Sequence, residues 1–335
     1  MAVSTEGDER ADPVARLKTI RLQALKSAGP EDIDKLVVAA THDGIFYLSF
    51  EDDHQLSRAI AGMQSLGVDL FSLDMEHKMG HDIDKLGQYK LNGYKPIGRN
   101  VGGIKGQRDG FESYSISRNT ISSLPDTKVS HLEVINEYNN TLVSFTAACS
   151  DIANMVFKIL SQAFNLQENK SLESCHDASK PTLDIVRLLK YPSSIGNNCF
   201  SIPQTAHTDV GSLTFLYSES PGLQILPAGS KEWRHVIPKQ GHLMVNFGDA
   251  MKTLSNGRLE SVMHRVVTVP GTQVLDRHSF AFMIRPRPEN LMTALPGFRE
   301  ADFEDDGQVL TCEEWVARKF KVMRGDKDEF QISGK

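Results

Sequence analysis

The chain has 335 residues, 40% of them hydrophobic and 24% charged, with a net charge of −6. That is ordinary globular composition, with material for one large domain or two small ones. With no basic tract and no aromatic-rich basic stripe, it excludes nucleic acid and anionic membranes as expected partners.

Residues 1–29 read as a frayed or loosely helical lead-in. They are polar and charged, without the apolar stretch of a secretory signal. Residues 30–170 read as a mostly helical region. "PEDIDKLVVAATHDGIFYLSF" predicts a helix with Leu36, Val37 and Ala40 on its stripe, a break at Gly44, and a strand in "IFYLSF". "DHQLSRAIAGMQSLGVDLFSL" predicts a second helix. "GYKPIGRNVGGIKGQRDGF" is glycine-rich and basic without a phosphate-loop pattern; it reads as a surface loop, with the rim of a binding site as its functional alternative. Between Asp126 and Leu166, Ile135, Tyr138, Leu142, Phe145, Ile152, Val156 and Leu160 recur at helical spacing and predict a core helix. No stretch approaches the roughly 20 apolar residues of a membrane span.

Residues 180–290 change texture. "LDIVRLLKY", "SLTFLYS", "LQILPA", "EWRHVIP", "LMVNFGD", "SVMHRVVTV" and "HSFAFMI" are short strand-like runs separated by Pro, Gly and Asn-Gly signals. The pattern predicts an antiparallel sandwich or barrel of the jelly-roll kind, mainly β with flanking helices. Residues 291–335 form a helix and tail; "CEEWVARKFKVMR" is the helix, with Trp315 and Phe320 placed to close the barrel mouth. Cys149, Cys175, Cys199 and Cys312 form no CxxC pair and read as free thiols in a reducing, cytoplasmic compartment.

The chemistry concentrates in "AHTDVGSLTFL". On a strand, His207 and Asp209 project to one face, and burying an ionised carboxylate requires a compensating charge or metal. In "SNGRLESVMHRVVTVPG", His264 shares a face with Val262 and Val266 and also points inward. Two imidazoles and one carboxylate are the facial triad of non-heme Fe(II) oxygenases, which leaves coordination positions open for oxygen and a co-ligand. In "LDRHSFAFMIRPRP", Arg277 and Ser279 share a face, and a buried guanidinium beside a hydroxyl suits bidentate capture of a carboxylate. Arg187 reads either as an anchor for an acidic substrate or as a residue snorkelling to the barrel rim. His235, His242 and His278 fall outside the triad blocks and read as structural.

These blocks, with "GLQIL", "EWRHVIP" and "VNFGDAMKTLSNGRLESVMHRVV", resemble the signature segments of Fe(II)/2-oxoglutarate-dependent dioxygenases of the isopenicillin N synthase-like family. "AATHDGIFYLSF", "FSLDMEHKM" and "GFESYSIS" are similar to that family's helical N-terminal region, so the likeness spans most of residues 30–320. The resemblance implies a double-stranded β-helix core and iron on His207, Asp209 and His264. It further implies that the distal carboxylate of 2-oxoglutarate lies on Arg277 and Ser279, with Tyr191 beside it. It implies Fe(II), 2-oxoglutarate and O2 as cofactor and co-substrates, and a small-molecule substrate that is hydroxylated, desaturated or rearranged, as in specialised metabolism. Two departures stand out: Leu189 occupies a position often filled by asparagine, and the interval from His264 to Arg277 is longer than usual. An oxidase of the same fold that dispenses with 2-oxoglutarate, or a non-catalytic jelly-roll binding protein, remains the alternative. The oligomeric state is not set by the sequence.

Overall fold

The computed structural model describes residues 13–86, 90–101, 106–122, 129–193, 202–269, 275–299 and 307–324. Among these residues, twelve strands form two sheets. Those of the N-terminal half are β1 (Thr19–Arg21), β2 (Ile45–Ser49), β3 (Gly93–Lys95) and β4 (Glu112–Ser117). They are followed by β5 (Ile185–Tyr191), β6 (Gln204–His207), β7 (Leu213–Tyr217) and β8 (Leu223–Leu226). The last are β9 (Arg234–His235), β10 (His242–Phe247), β11 (Met263–Val266) and β12 (Arg277–Ile284). The larger sheet runs β1-β2-β10-β7-β12-β5-β4-β3, and the smaller runs β6-β11-β8-β9. Among the pairings of these described strands, β1–β2 is the parallel one. The jelly-roll expectation therefore holds, and all seven strand-like runs between 180 and 290 are strands.

Alternation on the larger sheet divides its side chains between two cores. On β12, Phe280 and Phe282 join Val186 and Leu188 of β5 on the outer face. There they meet the helices His54–Ser72 and Asn139–Ala163; Phe145 stands edge-on to Phe280 with ring centroids 5.3 Å apart. The other face closes on the smaller sheet, where Ile45, Tyr47 and Met244 pack against Leu223, Ile225, Val236 and Val262. One end of the sandwich is thus plugged by apolar side chains, and the other carries the polar residues discussed below.

Several expectations are corrected here. The described part of the lead-in is docked rather than frayed: β1 pairs with β2, and Ala15 donates to the His235 carbonyl at 2.8 Å while its side chain enters the inter-sheet core. "GFESYSIS" contains β4, which pairs with β5 along its whole length, so it belongs to the sheet rather than to a helical region. The long helix starts later than its apolar pattern, as Glu133–Glu137 followed by Asn139–Ala163; residues 123–128 lie outside the described part. Contrary to the hydropathy expectation, Asn139–Ala163 is long and apolar enough to cross a membrane, but half of it is buried against the sheet and its neighbouring helix. Cys149, Cys175 and Cys312 are free and buried; Cys199 lies outside the described residues.

His176 links the helical layer to the sheet. Its ring stacks on Phe157 with centroids 4.0 Å apart. Nδ1–H donates to the Leu172 carbonyl at 2.7 Å, and the Ser212 hydroxyl donates to Nε2 at 2.7 Å. Burial, helped by Arg287, lowers its pKa from 6.5 to about 4 against the pull of the Leu172 carbonyl. The neutral ring's contribution to stability is therefore complete above pH 6.5 and is lost as pH falls toward 4. Between pH 7 and pH 5 the loss from this group is about 2 kcal/mol, at about 1.4 kcal/mol per unit. His176→Gln, which can still reach Ser212, is expected to lose about 2 kcal/mol less than wild type over that interval in urea denaturation. Equal acid sensitivity in the two proteins would refute the assignment.

Candidate active site

The three residues proposed from sequence as a metal set do come together. His207 closes β6 and His264 sits on β11, directly opposite each other across the antiparallel pair. Their rings are 4.3 Å apart, centroid to centroid. Asp209 departs from the strand-alternation argument: β6 ends at His207, and Asp209 stands in the turn that follows. It nevertheless places Oδ1 3.8 Å from Nε2 of each histidine, and the three donor atoms lie within 4.8 Å of one another.

The tautomers are fixed by the main chain. His207 Nδ1–H donates to the Thr205 carbonyl at 2.8 Å, and His264 Nδ1–H donates to the Val262 carbonyl at 3.2 Å. Both Nε2 lone pairs are thereby left facing Asp209, the arrangement in which an imidazole ligates a metal while its other nitrogen is held by a second partner. Burial, reinforced by His264, lowers the His207 pKa to about 4. Burial would raise the Asp209 carboxyl, but the two histidines and the Asn246 amide outweigh it and hold it at about 2. At neutral pH the set is thus a neutral imidazole donor at His207 and an anion at Asp209. A cation about 2.1 Å from each donor needs them roughly 3.0–3.5 Å apart, so the two 3.8 Å carboxylate–imidazole distances would close by a few tenths of an ångström around it. The donor set fits Fe(II).

Asp209 is held from behind. Asn246 on β10 donates to its Oδ2 at 2.8 Å. Its carbonyl accepts from Asp249 N at 2.9 Å, and the Gly211 carbonyl accepts from Ala250 N at 2.9 Å, so the first turn of the helix Asp249–Leu254 caps the ligand turn. This approach requires glycine: a Cβ on Gly248 would lie 2.7 Å from the Asp209 carbonyl and closer still to that of Gly211.

Tyr191, Arg277 and Ser279 form a second group. Tyr191 is opposite Arg277 in the β5–β12 register, with the guanidinium 4.9 Å from the centre of the phenol ring. Arg277 donates from Nη1 to Ser279 Oγ at 3.3 Å and from Nε to the Pro221 carbonyl at 3.0 Å. All three side chains are buried, and burial pushes the Tyr191 phenol up to about 12. Leu189 is buried beside Phe111, Tyr191 and Val266 and offers no polar contact. An amide is nevertheless close by, on Gln204, a residue the sequence did not single out. Gln204 accepts from the Tyr191 hydroxyl at 2.6 Å and approaches His207 Nε2 at 3.4 Å, so its side chain spans the gap between the two groups.

A cavity of about 200 Å³ opens beside the triad. His207 and Asp209 line it, and Leu189 and Gln204 carry it toward the Tyr191 group. Lys95, Asn100, Val101, Asp109 and Phe111 from the glycine-rich segment also line it, so that segment is a rim; its residues 102–105 lie outside the described part. Phe320 of the helix Cys312–Arg324 lines the mouth, as expected, while Trp315 packs beneath. Arg187 faces the cavity rather than reaching past its rim. Its Nε donates to Ser115 Oγ at 3.2 Å, and burial together with the nearby Arg285 lowers its pKa to about 10.

A jelly roll with two imidazoles and a carboxylate at its open end, and a buried arginine–hydroxyl pair beside them, defines a mononuclear iron oxygenase. The sequence model of the 2OG-Fe(II) oxygenase superfamily matches residues 183–286. The chain is 30% identical over 320 residues to 2-oxoglutarate-dependent dioxygenase gloE of Glarea lozoyensis, covering 94% of this chain and 90% of that one. It is 28% identical over 327 residues to 2-oxoglutarate-dependent dioxygenase frbH of Dothideomycetidae sp., covering 96% and 94%. The crystal structure of a full-length Neurospora crassa protein in complex with alpha-KG superposes with a TM-score of 0.75 at 20% identity, over 91% of this chain and 96% of that one, which supports the fold. The chain belongs to the 2OG-Fe(II) oxygenase superfamily and is an Fe(II)- and 2-oxoglutarate-dependent dioxygenase that uses O2. The two alternatives left by the sequence, an oxidase without 2-oxoglutarate and a non-catalytic binding protein, give way to it.

Proposed function

We propose that His207, Asp209 and His264 hold the iron, that Arg277, Ser279 and Tyr191 hold the distal carboxylate of 2-oxoglutarate, and that the cavity receives a small organic metabolite of specialised metabolism. The observation that carries this reading is the pair of Nδ1–carbonyl hydrogen bonds. With both rings tied by Thr205 and Val262, their Nε2 atoms converge on one carboxylate oxygen.

Bound iron with 2-oxoglutarate supplies the activation of dioxygen and, through it, the oxidation of an unactivated C–H bond. The chain's own residues orient and exclude. Arg277 gives the co-substrate a fixed cation, with Nε tied to main-chain carbonyls so that the guanidinium plane cannot turn. Tyr191 and Gln204, joined by their own hydrogen bond, present a hydroxyl and an amide at this end of the cavity. Leu189, Phe111 and Val266 keep water from this end. The acidic balance of the chain favours a small molecule over nucleic acid as the substrate.

The test is anaerobic titration of the Fe(II)-loaded protein with 2-oxoglutarate, followed by the weak visible charge-transfer band of the chelate. The band is expected to grow to one co-substrate per chain. Iron bound without a band would take 2-oxoglutarate away from these residues, and no iron bound would take the metal away from the triad.

A further inference from the structure

Among the described residues, the cavity lining carries one positive charge more than iron and co-substrate can balance. Of its lining cations, Lys90 is paired with Asp84 at 2.5 Å and Lys95 with Asp109 at 2.5 Å. Arg285 donates to the carbonyls of Val210 and Leu183, beside Asp184. Arg187 has no carboxylate beside it other than Asp209, and its hydrogen-bond partner is the neutral Ser115 hydroxyl, on Nε. Among the described residues no carboxylate lies within 4.0 Å of it, and neither Nη has a protein partner. Its one nearby anion is Asp209, which the metal claims. Dipositive iron and Arg277 together balance Asp209 and the two carboxylates of 2-oxoglutarate. Arg187 is left over, a partly buried guanidinium beside a metal dication.

Its place on the strand separates it from the co-substrate. Tyr191, Leu189 and Arg187 share one face of β5, where Tyr191 pairs with Arg277 and Arg187 pairs with Ala281. Four residues of strand put about 13 Å between the two rows. Small residues, Ala281 on one side and Ser115 on the other, flank Arg187 and leave the space before it clear.

Resting on the iron and 2-oxoglutarate assignment above, we propose that Arg187 is the substrate anchor and that the substrate is a monocarboxylate, held bidentately by the two free Nη groups. The planar fork matches a carboxylate, and the pairing restores neutrality to the cavity when co-substrate and substrate are both bound.

The experiment uses the anaerobic Fe(II)–2-oxoglutarate complex of the full chain. It is titrated with acid and amide pairs of equal shape: benzoate with benzamide, phenylacetate with phenylacetamide, hexanoate with hexanamide. Perturbation of the chelate band and thermal stabilisation are both read. In the wild type at least one acid is expected to bind about 10-fold or more tighter than its amide. In Arg187→Gln the ratio is expected to fall to about one, with Arg187→Lys between them and 2-oxoglutarate affinity changed by no more than about threefold. A wild type that prefers no acid, or a preference that survives in Arg187→Gln, overturns the proposal. Loss of the chelate band in Arg187→Gln alone also overturns it, by giving Arg187 to the co-substrate. A wild type that forms no band overturns the underlying assignment instead, so the two failures are distinguishable.

Discussion

Asp209→Asn is expected to lose iron and activity together, with turnover down about 10³-fold or more. The substitution preserves the shape of the side chain and its contact with Asn246 while removing the only anion of the triad. Two unit charges 4 Å apart at an effective dielectric constant of 20 interact by about 4 kcal/mol, and a dication in direct contact with a carboxylate gains more. That figure alone corresponds to about a thousandfold in metal affinity. Iron stoichiometry measured after gel filtration, beside co-substrate-dependent succinate formation, checks both losses. A variant that keeps its iron and a tenth of its activity would exclude Asp209 as a ligand. The folded protein is expected to survive, because the turn carrying Asp209 is held by the main chain of residues 248–250.

The second large effect concerns Arg277. Arg277→Ala is expected to raise the KM for 2-oxoglutarate by about 30-fold to several thousandfold, the 2–5 kcal/mol lost when one partner of a buried, hydrogen-bonded charge pair is removed. Arg277→Lys keeps the charge but gives up the fork that reaches Ser279 and the Ser220 and Pro221 carbonyls, and should fall between. Iron content is expected to be unchanged in both variants. Steady-state kinetics at saturating and limiting 2-oxoglutarate separate this from loss of turnover. An unchanged KM in the alanine variant would place the co-substrate elsewhere.

Both assignments start from features legible in the sequence. His207 and His264, the Arg277–Ser279 spacing and the run of short strands after residue 182 follow from residue type and alternation, because strands with one polar and one apolar face announce their inward residues, whereas Asp209 joins them from beyond the end of β6. Elsewhere local signals are insufficient. β1 is three residues long and holds by pairing in parallel with β2, a long-range contact that no local pattern reports. β4 does alternate Tyr114 and Ile116 with serines, but it is a strand by virtue of its pairing with β5, a partner far along the chain that no local pattern reports. Gln204 escapes a reading by alternation for a definite geometric reason. Gln204 and His207 are three apart, which alternation puts on opposite faces, yet they pair with Val266 and His264, which are two apart. The extra residue in β6 is a bulge, and it turns Gln204 to the face carrying the metal set. Arg187 is conspicuous in the sequence, but whether it enters the cavity depends on the rows formed with Ser115 and Ala281, which are set by pairing across three strands.

The way Asp209 is held bears on how such an enzyme changes over generations. The ligand turn is fastened by peptide groups of residues 248–250 and by close backbone approach at Gly248, and both histidines are oriented by peptide carbonyls. Apart from Asn246, the reactive centre therefore depends little on which side chains surround it. The walls of the cavity, at Lys95, Val101, Phe111, Arg187 and Phe320, are by contrast side chains on the rim, one interior strand face and the C-terminal helix. Mutation can redraw those walls while the oxidising centre keeps its geometry, so new substrates can be acquired without the power to oxidise having to be reinvented.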